Sequence, residues 1–197
     1  LMQQLLTRGI GHTEFKQTEI GEIPQKWTVT RLHNISINFI SGGTPSTSNT
    51  DYWNGHIPWM RSASISGKFV LSGEKYISKN GVNGSATNII PKNNVLVATR
   101  VSMGKVAVNK IDIAISQDLT GVIIDRSKAI PEFIYWILLN SKSKIESLIQ
   151  GSTIKGILRG DLKNLDIVLP SLLEQKKIDM ILSCVDETIE KNILQKK

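Results

Sequence analysis

SLLEQKKIDMILSCVDETIEKNILQKK, running from Ser171 to Lys197, contains neither Gly nor Pro. Within it Ile178, Leu182, Val185, Ile189 and Asn192 are spaced 4, 3, 4, 3, the rhythm of a heptad seam. Ser171 with Glu174 three residues later matches a capping box, which predicts a helix starting just after Pro170. At about 1.5 Å per residue the helix projects roughly 40 Å, too far for a small domain to cover, so the seam is expected to pair with another helix. That partner is either intramolecular or a second copy of the chain, and the polar Asn192 would fix the register of the pair. The competing reading is a terminal helix folded back on its own domain.

Upstream of this helix the patterning changes twice. Phe133, Ile134, Ile137, Leu138, Ile145 and Leu148 fall on one face of a helix between Pro131 and Ile149, with Pro131 in the first turn, where proline is tolerated. Gly151-Ser152-Thr153 ends it. From Trp27 to about Ile124 the apolar residues come in short β-branched bursts, such as Val95-Leu96-Val97-Ala98, Val106-Ala107-Val108 and Gly121-Val122-Ile123-Ile124, between Gly, Pro, Asn and Ser. Such bursts predict strands and irregular loops. Leu1 to Leu6 reads as the last turns of a helix, so the sequence is expected to be a fragment, with a naturally short chain working as a dimer as the open alternative, and Gly9, Gly11, Gly21 and Pro24 read as a linker. The expected architecture is α+β: a helical stub and linker over residues 1–19, a domain with a twisted, loop-rich sheet and packed helices over 20–170, and a spacer helix over 171–197.

The charge narrows the function. The formal net charge is +7. Glu174 to Lys197 carries lysines 176, 177, 191, 196 and 197 against acids 174, 179, 186, 187 and 190, so the surplus belongs to the globular part. A basic domain favours a polyanionic partner. The single Cys184 suits a reducing, cytoplasmic setting, and no apolar run approaches the roughly 18 residues of a membrane helix.

Catalytic motifs are missing. There is no Gly-x-Gly-x-x-Gly, no phosphate-binding Gly-Lys-Ser/Thr loop and no His-Glu-x-x-His, and His12, His33 and His56 are scattered, without metal-ligand spacing. Neither Ser102 nor Thr153 lies in a nucleophile elbow. Neither an enzyme nor a metal site is expected.

Binding candidates are better defined. Ser41-Gly42-Gly43-Thr44-Pro45-Ser46 feeds the aromatic turn Tyr52-Trp53-Asn54-Gly55-His56-Ile57-Pro58-Trp59-Met60-Arg61. Trp53 and Trp59 are read first as core anchors. Thr44, Ser46 and Arg61 are the ligand candidates, since loop hydroxyls and a guanidinium can donate to phosphates or base edges.

Those two segments, together with Tyr76-Ile77-Ser78 before Gly81, Thr99-Arg100-Val101-Ser102-Met103-Gly104 and Ile115-Ser116-Gln117, resemble the target-recognition domain of Type I restriction-modification specificity subunits. Gly151-Ser152-Thr153, Leu169-Pro170 and Leu173-Glu174-Gln175-Lys176-Lys177-Ile178 resemble that family's passage into its spacer helix. The resemblance spans nearly the whole chain. It implies a subunit without catalysis of its own that reads half of a split site in double-stranded DNA and docks modification and restriction subunits. No cofactor is expected in this chain; S-adenosylmethionine, ATP and Mg belong to those partner subunits.

The family's base-reading residues vary with target, so further DNA contacts are read from the residues themselves. Arg100, Ser102 and Lys105 flank Gly104 in a polar interruption between two strands. Thr153, Lys155 and Arg159 follow a glycine break and offer a second phosphate clamp, against the alternative of a solvated loop. Gln117 can pair bidentately with adenine, although a lone glutamine in a strand is more often structural. Two rival functions stay open: an interaction module that touches nucleic acid without sequence preference, and a recognition domain cut from a fused restriction-modification enzyme.

Overall fold

Two faces of one sheet organise the molecule, whose computed structural model describes residues 1–150 and 156–194, apart from the side chains of residues 149, 150, 190, 193 and 194. The chain opens with helix α1 (Met2–Arg8), which buries Leu5 and Leu6 in the main core. Strands β1 (Phe15–Thr18) and β2 (Gly21–Pro24) then form a hairpin, turned at Gly21 with φ 113°. Gly21, read as part of a linker, therefore serves a hairpin that needs positive φ there, and Gly9, at φ 65°, caps α1. Trp27, 1% exposed, leads into β3 (Thr28–Arg31), followed by β4 (Ser36–Ser41) and β5 (Ile57–Met60).

Next come β6 (Phe69–Val70), β7 (Lys75–Ile77), a short helix α2 (Lys79–Asn83), and β8 (Asn88–Ile90). Strands β9 (Val95–Ala98), β10 (Val106–Asn109), β11 (Ile113–Ile115) and β12 (Leu119–Ile124) complete the strand-rich region. Five strands form one sheet in the order β4-β12-β9-β10-β6, and four form a second in the order β7-β5-β11-β8. Both are antiparallel except at β10–β6 and β11–β5, which pair in parallel.

Strands β9 and β10 are buried at every residue, which explains why their sequences run apolar without alternation. Val95, Val97, Val106 and Val108 face the main core. Leu96, Ala98 and Ala107 face the other way, where Ile90, Ile113 and Ile115 of the second sheet meet them. The five-stranded sheet is thus the middle layer of three.

Helix α3 (Pro131–Asn140) fills the main core, with Phe133, Ile134, Tyr135, Trp136, Ile137 and Leu138 all buried. The single helix expected to Ile149 breaks at Ser141, after which α4 (Lys142–Ser147) redirects Ile145 into the core. The polar run from Asn140 to Lys144 has nothing to bury on the line of α3, which is why the chain turns. Short strands β13 (Ile149–Gln150) and β14 (Gly156–Ile157) pair, and α5 (Arg159–Lys163) and β15 (Asp166–Leu169) follow. β15 pairs antiparallel with β3, Asp166 opposite Arg31 and Leu169 opposite Thr28, so the domain's two ends close on each other.

The last helix, α6 (Leu172–Leu194), corrects the reading of its seam. Its first half docks on the chain's own domain: Ile178 and Leu182 lie in the main core at 0% and 4% exposure. Polar ties hold it there. Gln175 accepts from the Ile130 backbone N–H at 3.0 Å and donates to the carbonyls of Lys128 and Pro170. Asp179 pairs with the buried Lys68 at 2.6 Å and accepts from the Trp136 indole at 2.8 Å. Of the five seam residues, Val185, Ile189 and Asn192 remain exposed for a partner. Among the described residues no helix is long and apolar enough to cross a membrane.

Candidate nucleic-acid interface

The loop after β4 is carried by backbone contacts that admit no side chain. Gly43 N–H donates to the Ile115 carbonyl at 2.9 Å, and a Cβ on Gly42 would lie 2.0 Å from that same oxygen. Two tryptophans then clamp the loop from below. Trp59 donates its indole N–H to the Gly43 carbonyl at 3.1 Å, and Trp53 donates to the Ser46 carbonyl at 3.1 Å. Their rings meet edge to face at 5.1 Å. Trp59 is buried and Trp53 half-buried, so both anchor the loop rather than offering a face to a ligand.

With Pro45 buried beneath it, Thr44 points outward and donates to Gln117 Oε1 at 2.5 Å. Gln117 is exposed in the turn between β11 and β12, not within a strand as the sequence suggested. Its Oε1 keeps a second lone pair and its Nε2 two protons, the donor and acceptor combination that matches adenine's major-groove edge. Ser46 turns its hydroxyl to Ser48 at 2.8 Å and stands apart from this pair.

Directly under Gln117 lies a polar centre that sequence reasoning missed. Asp118, 7% exposed, accepts from the Ser62 backbone N–H at 3.0 Å and from the hydroxyls of Ser62 and Ser116. The Asp118 carbonyl accepts from Thr99 N–H at 2.9 Å, and Ser62 Oγ also lies 2.7 Å from the Val101 carbonyl, so its one proton is shared between that oxygen and the carboxylate. Through its carboxylate and its backbone carbonyl, Asp118 therefore ties together three loops, around residues 62, 100 and 117. Nothing in the sequence marks a lone Asp after Gln117 for this role.

The expected cations divide into free and committed. Arg100 is exposed and has no carboxylate partner among the described residues. Lys105 turns inward: its ammonium donates to the Ala63 and Ile65 carbonyls at 3.1 and 2.8 Å, which makes it an internal brace. Ser102 is half-buried at φ 54°, a left-handed turn residue. Arg61 is engaged within the fold, since Glu74 chelates its guanidinium through Nε at 3.1 and 3.2 Å and through Nη2. That hydrogen bond, with a further one from Ser64 Oγ at 2.6 Å, holds the Glu74 carboxyl at about 2, below its ordinary 4.5.

Arg159, at the start of α5, is exposed and donates to Ser41 Oγ, three residues before Thr44. Thr153 and Lys155 lie outside the described residues. Gly156 packs beside Thr99 and Arg100, and Ile157 N–H donates to the Thr99 carbonyl at 2.8 Å. The fold thus brings Thr44, Gln117, Arg100 and Arg159 to one end of the middle sheet, while Arg61 borders it paired with Glu74 and Lys105 borders it held by two backbone carbonyls. No group of three or more His, Cys, Asp or Glu side chains suited to a metal occurs among the described residues.

Comparison with known proteins places this arrangement. A family model described as the Type I restriction modification DNA specificity domain matches residues 24–196. The Type I restriction enzyme MjaIX specificity subunit of Methanocaldococcus jannaschii is 33% identical over 184 residues, covering 90% of this chain and 42% of that protein. The EcoR124I/EcoR124II specificity subunit of Escherichia coli is 30% identical, over 93% of this chain and 43% of its own length. The chain therefore spans less than half the length of these relatives. In fold it is similar to the HsdS subunit from Thermoanaerobacter tengcongensis, with a TM-score of 0.68 at 19% identity over 90% of this chain and 41% of that one. Sequence and fold agree, and the chain belongs to the family of Type I restriction modification DNA specificity domains.

Proposed function

We propose that this chain reads one half of a bipartite site in double-stranded DNA as the specificity component of a Type I restriction-modification system. It works without a catalytic centre of its own, in the cytoplasm. Adenine methylation and cleavage fall to separate modification and restriction subunits, which supply S-adenosylmethionine, ATP and Mg chemistry. The other half-site is read by a second recognition domain, in the same full-length protein or in a second copy of this one.

The observation that carries the reading is the Thr44–Gln117 pair, an exposed amide held at 2.5 Å by a hydroxyl on a clamped loop. Base readout needs side chains placed before the DNA arrives, because a floppy amide loses rotamer entropy on binding. Arg100 and Arg159 beside it supply phosphate contacts that set register without reading sequence. The relatives from Methanocaldococcus jannaschii and Escherichia coli, both specificity subunits, support the same reading.

The test is a pull-down of this chain with the modification subunit encoded beside it, then methyl transfer on random-sequence DNA and sequencing of the products. Methylated adenines in a split or symmetric motif support the proposal, and Gln117→Ala then relaxes one position of that motif. Binding that unrelated DNA competes away equally at the same salt identifies a non-specific interaction module instead. Neighbouring coding sequence that fuses methyltransferase and nuclease to this chain identifies a fused enzyme.

A further inference from the structure

The hairpin loop from Thr99 to Lys105, between β9 and β10, is braced on its inner side. The Val101 carbonyl accepts from Ser62 Oγ at 2.7 Å, and Ser62, 0% exposed, is itself held by Asp118. Lys105 N–H donates to the Ser102 carbonyl at 3.2 Å, while the Lys105 ammonium is fixed to the carbonyls of Ala63 and Ile65. Ser102 sits at φ 54°, a left-handed conformation that a non-glycine residue adopts at a cost in strain. So much internal bracing lifts one apolar side chain outward: Val101 is 60% exposed.

A single exposed valine is ordinary. This one has a counterpart. Leu158 is 56% exposed on the adjoining segment, which is joined to the loop by the hydrogen bond from Ile157 N–H to the Thr99 carbonyl at 2.8 Å. Each apolar residue is also the chain neighbour of an exposed arginine, Arg100 before Val101 and Arg159 after Leu158. Arginines satisfy phosphates and base acceptors, yet they offer nothing to the one apolar feature of the major groove, the C5-methyl group of thymine. Exposed apolar side chains, each next in the chain to such a cation, fit that feature.

We propose that Val101 and Leu158 are specificity-determining residues that pack against thymine methyl groups, with Arg100 and Arg159 on the flanking phosphates. The inference rests on the DNA-reading function above and adds the chemical group recognised. Burying one methyl is worth about fourfold in affinity.

The experiment is selection from a randomised duplex pool by the full chain bound to its modification subunit, run in parallel with Val101→Ala and Leu158→Ala. Urea midpoints equal to the parent's establish that each variant folds. If the parent enriches a motif, Val101→Ala loses its preference for T·A at one position, and replacing that thymine by uracil weakens the parent about fourfold while leaving the variant unchanged. A parent motif retained in full by both variants, with no response to uracil, overturns the inference and leaves DNA reading standing. No enriched motif for the parent overturns both.

Discussion

Trp27 donates its indole N–H to Glu174 Oε2 at 2.9 Å, across 147 positions of sequence. The same carboxylate accepts from the Ile10 backbone N–H at 3.1 Å and lies 2.7 Å from His12 Nε2. Glu174 was legible as the far end of a capping box, and its own N–H does meet Ser171 Oγ at 3.3 Å. Its side chain leaves the box, however, and pins the first residues of the chain to the start of α6. Glu174→Ala strands three polar neighbours and is expected to lower stability by about 2–3 kcal/mol in urea unfolding. Glu174→Gln keeps an acceptor and loses less. Equal midpoints for the parent and the alanine variant would show that water replaces the carboxylate at no cost.

The division between free and committed cations is measurable through salt. Arg100→Ala and Arg159→Ala should each reduce the slope of log K against log salt by about 0.9, one phosphate contact apiece. Lys105→Ala should leave that slope alone and instead destabilise the fold by about 1–2 kcal/mol, because two carbonyls lose their donor. A slope that falls for Lys105→Ala and not for Arg100→Ala would reverse the assignment.

Glu74 predicts a pH dependence of definite sign. Arg61 holds its carboxyl at about 2 in the folded state, below the ordinary 4.5, so the folded form binds the proton more weakly than the unfolded one. The stabilisation is present in full above about 4.5 and is lost as pH falls toward about 2. Urea midpoints of the parent and Glu74→Gln should therefore differ at neutral pH and converge in acid. Half of the Arg61 side chain is exposed, so added salt should narrow the gap too. A difference constant from pH 7 to 2 would assign the loss to packing rather than charge.

What the sequence revealed and what it concealed follow from the range of the forces involved. The apolar bursts at Val95 to Ala98 and Val106 to Val108 announced strands because burial on both faces leaves its mark on neighbouring residues. Trp53 and Trp59 were legible as anchors for a similar reason. The hairpin of β1 and β2 was hidden, since its strands are four residues each and mix apolar and polar residues without alternation. Lys105 and Arg100 look alike as cations in one loop. Only the carbonyls of Ala63 and Ile65, some forty positions away, separate brace from ligand. Asp118 was silent for the same reason, since Ser62, the partner that ties it into the fold, lies 56 positions away.

The seam of α6 carries the last prediction. A 4, 3, 4, 3 rhythm states that one face is covered without saying by what, and here the cover changes partway along. Leu182, 4% exposed, packs on the chain's own core, whereas Ile189, 52% exposed, has no such neighbour. Leu182→Asp places a carboxylate in that core and should destabilise the chain itself by more than about 3 kcal/mol. Ile189→Asp should alter its urea midpoint by less than about 0.5 kcal/mol while weakening assembly, read by sedimentation of this chain and by its pull-down with the modification subunit. If Ile189→Asp leaves both assembly measurements untouched, the exposed half of the helix pairs with nothing, and α6 serves only to close the domain.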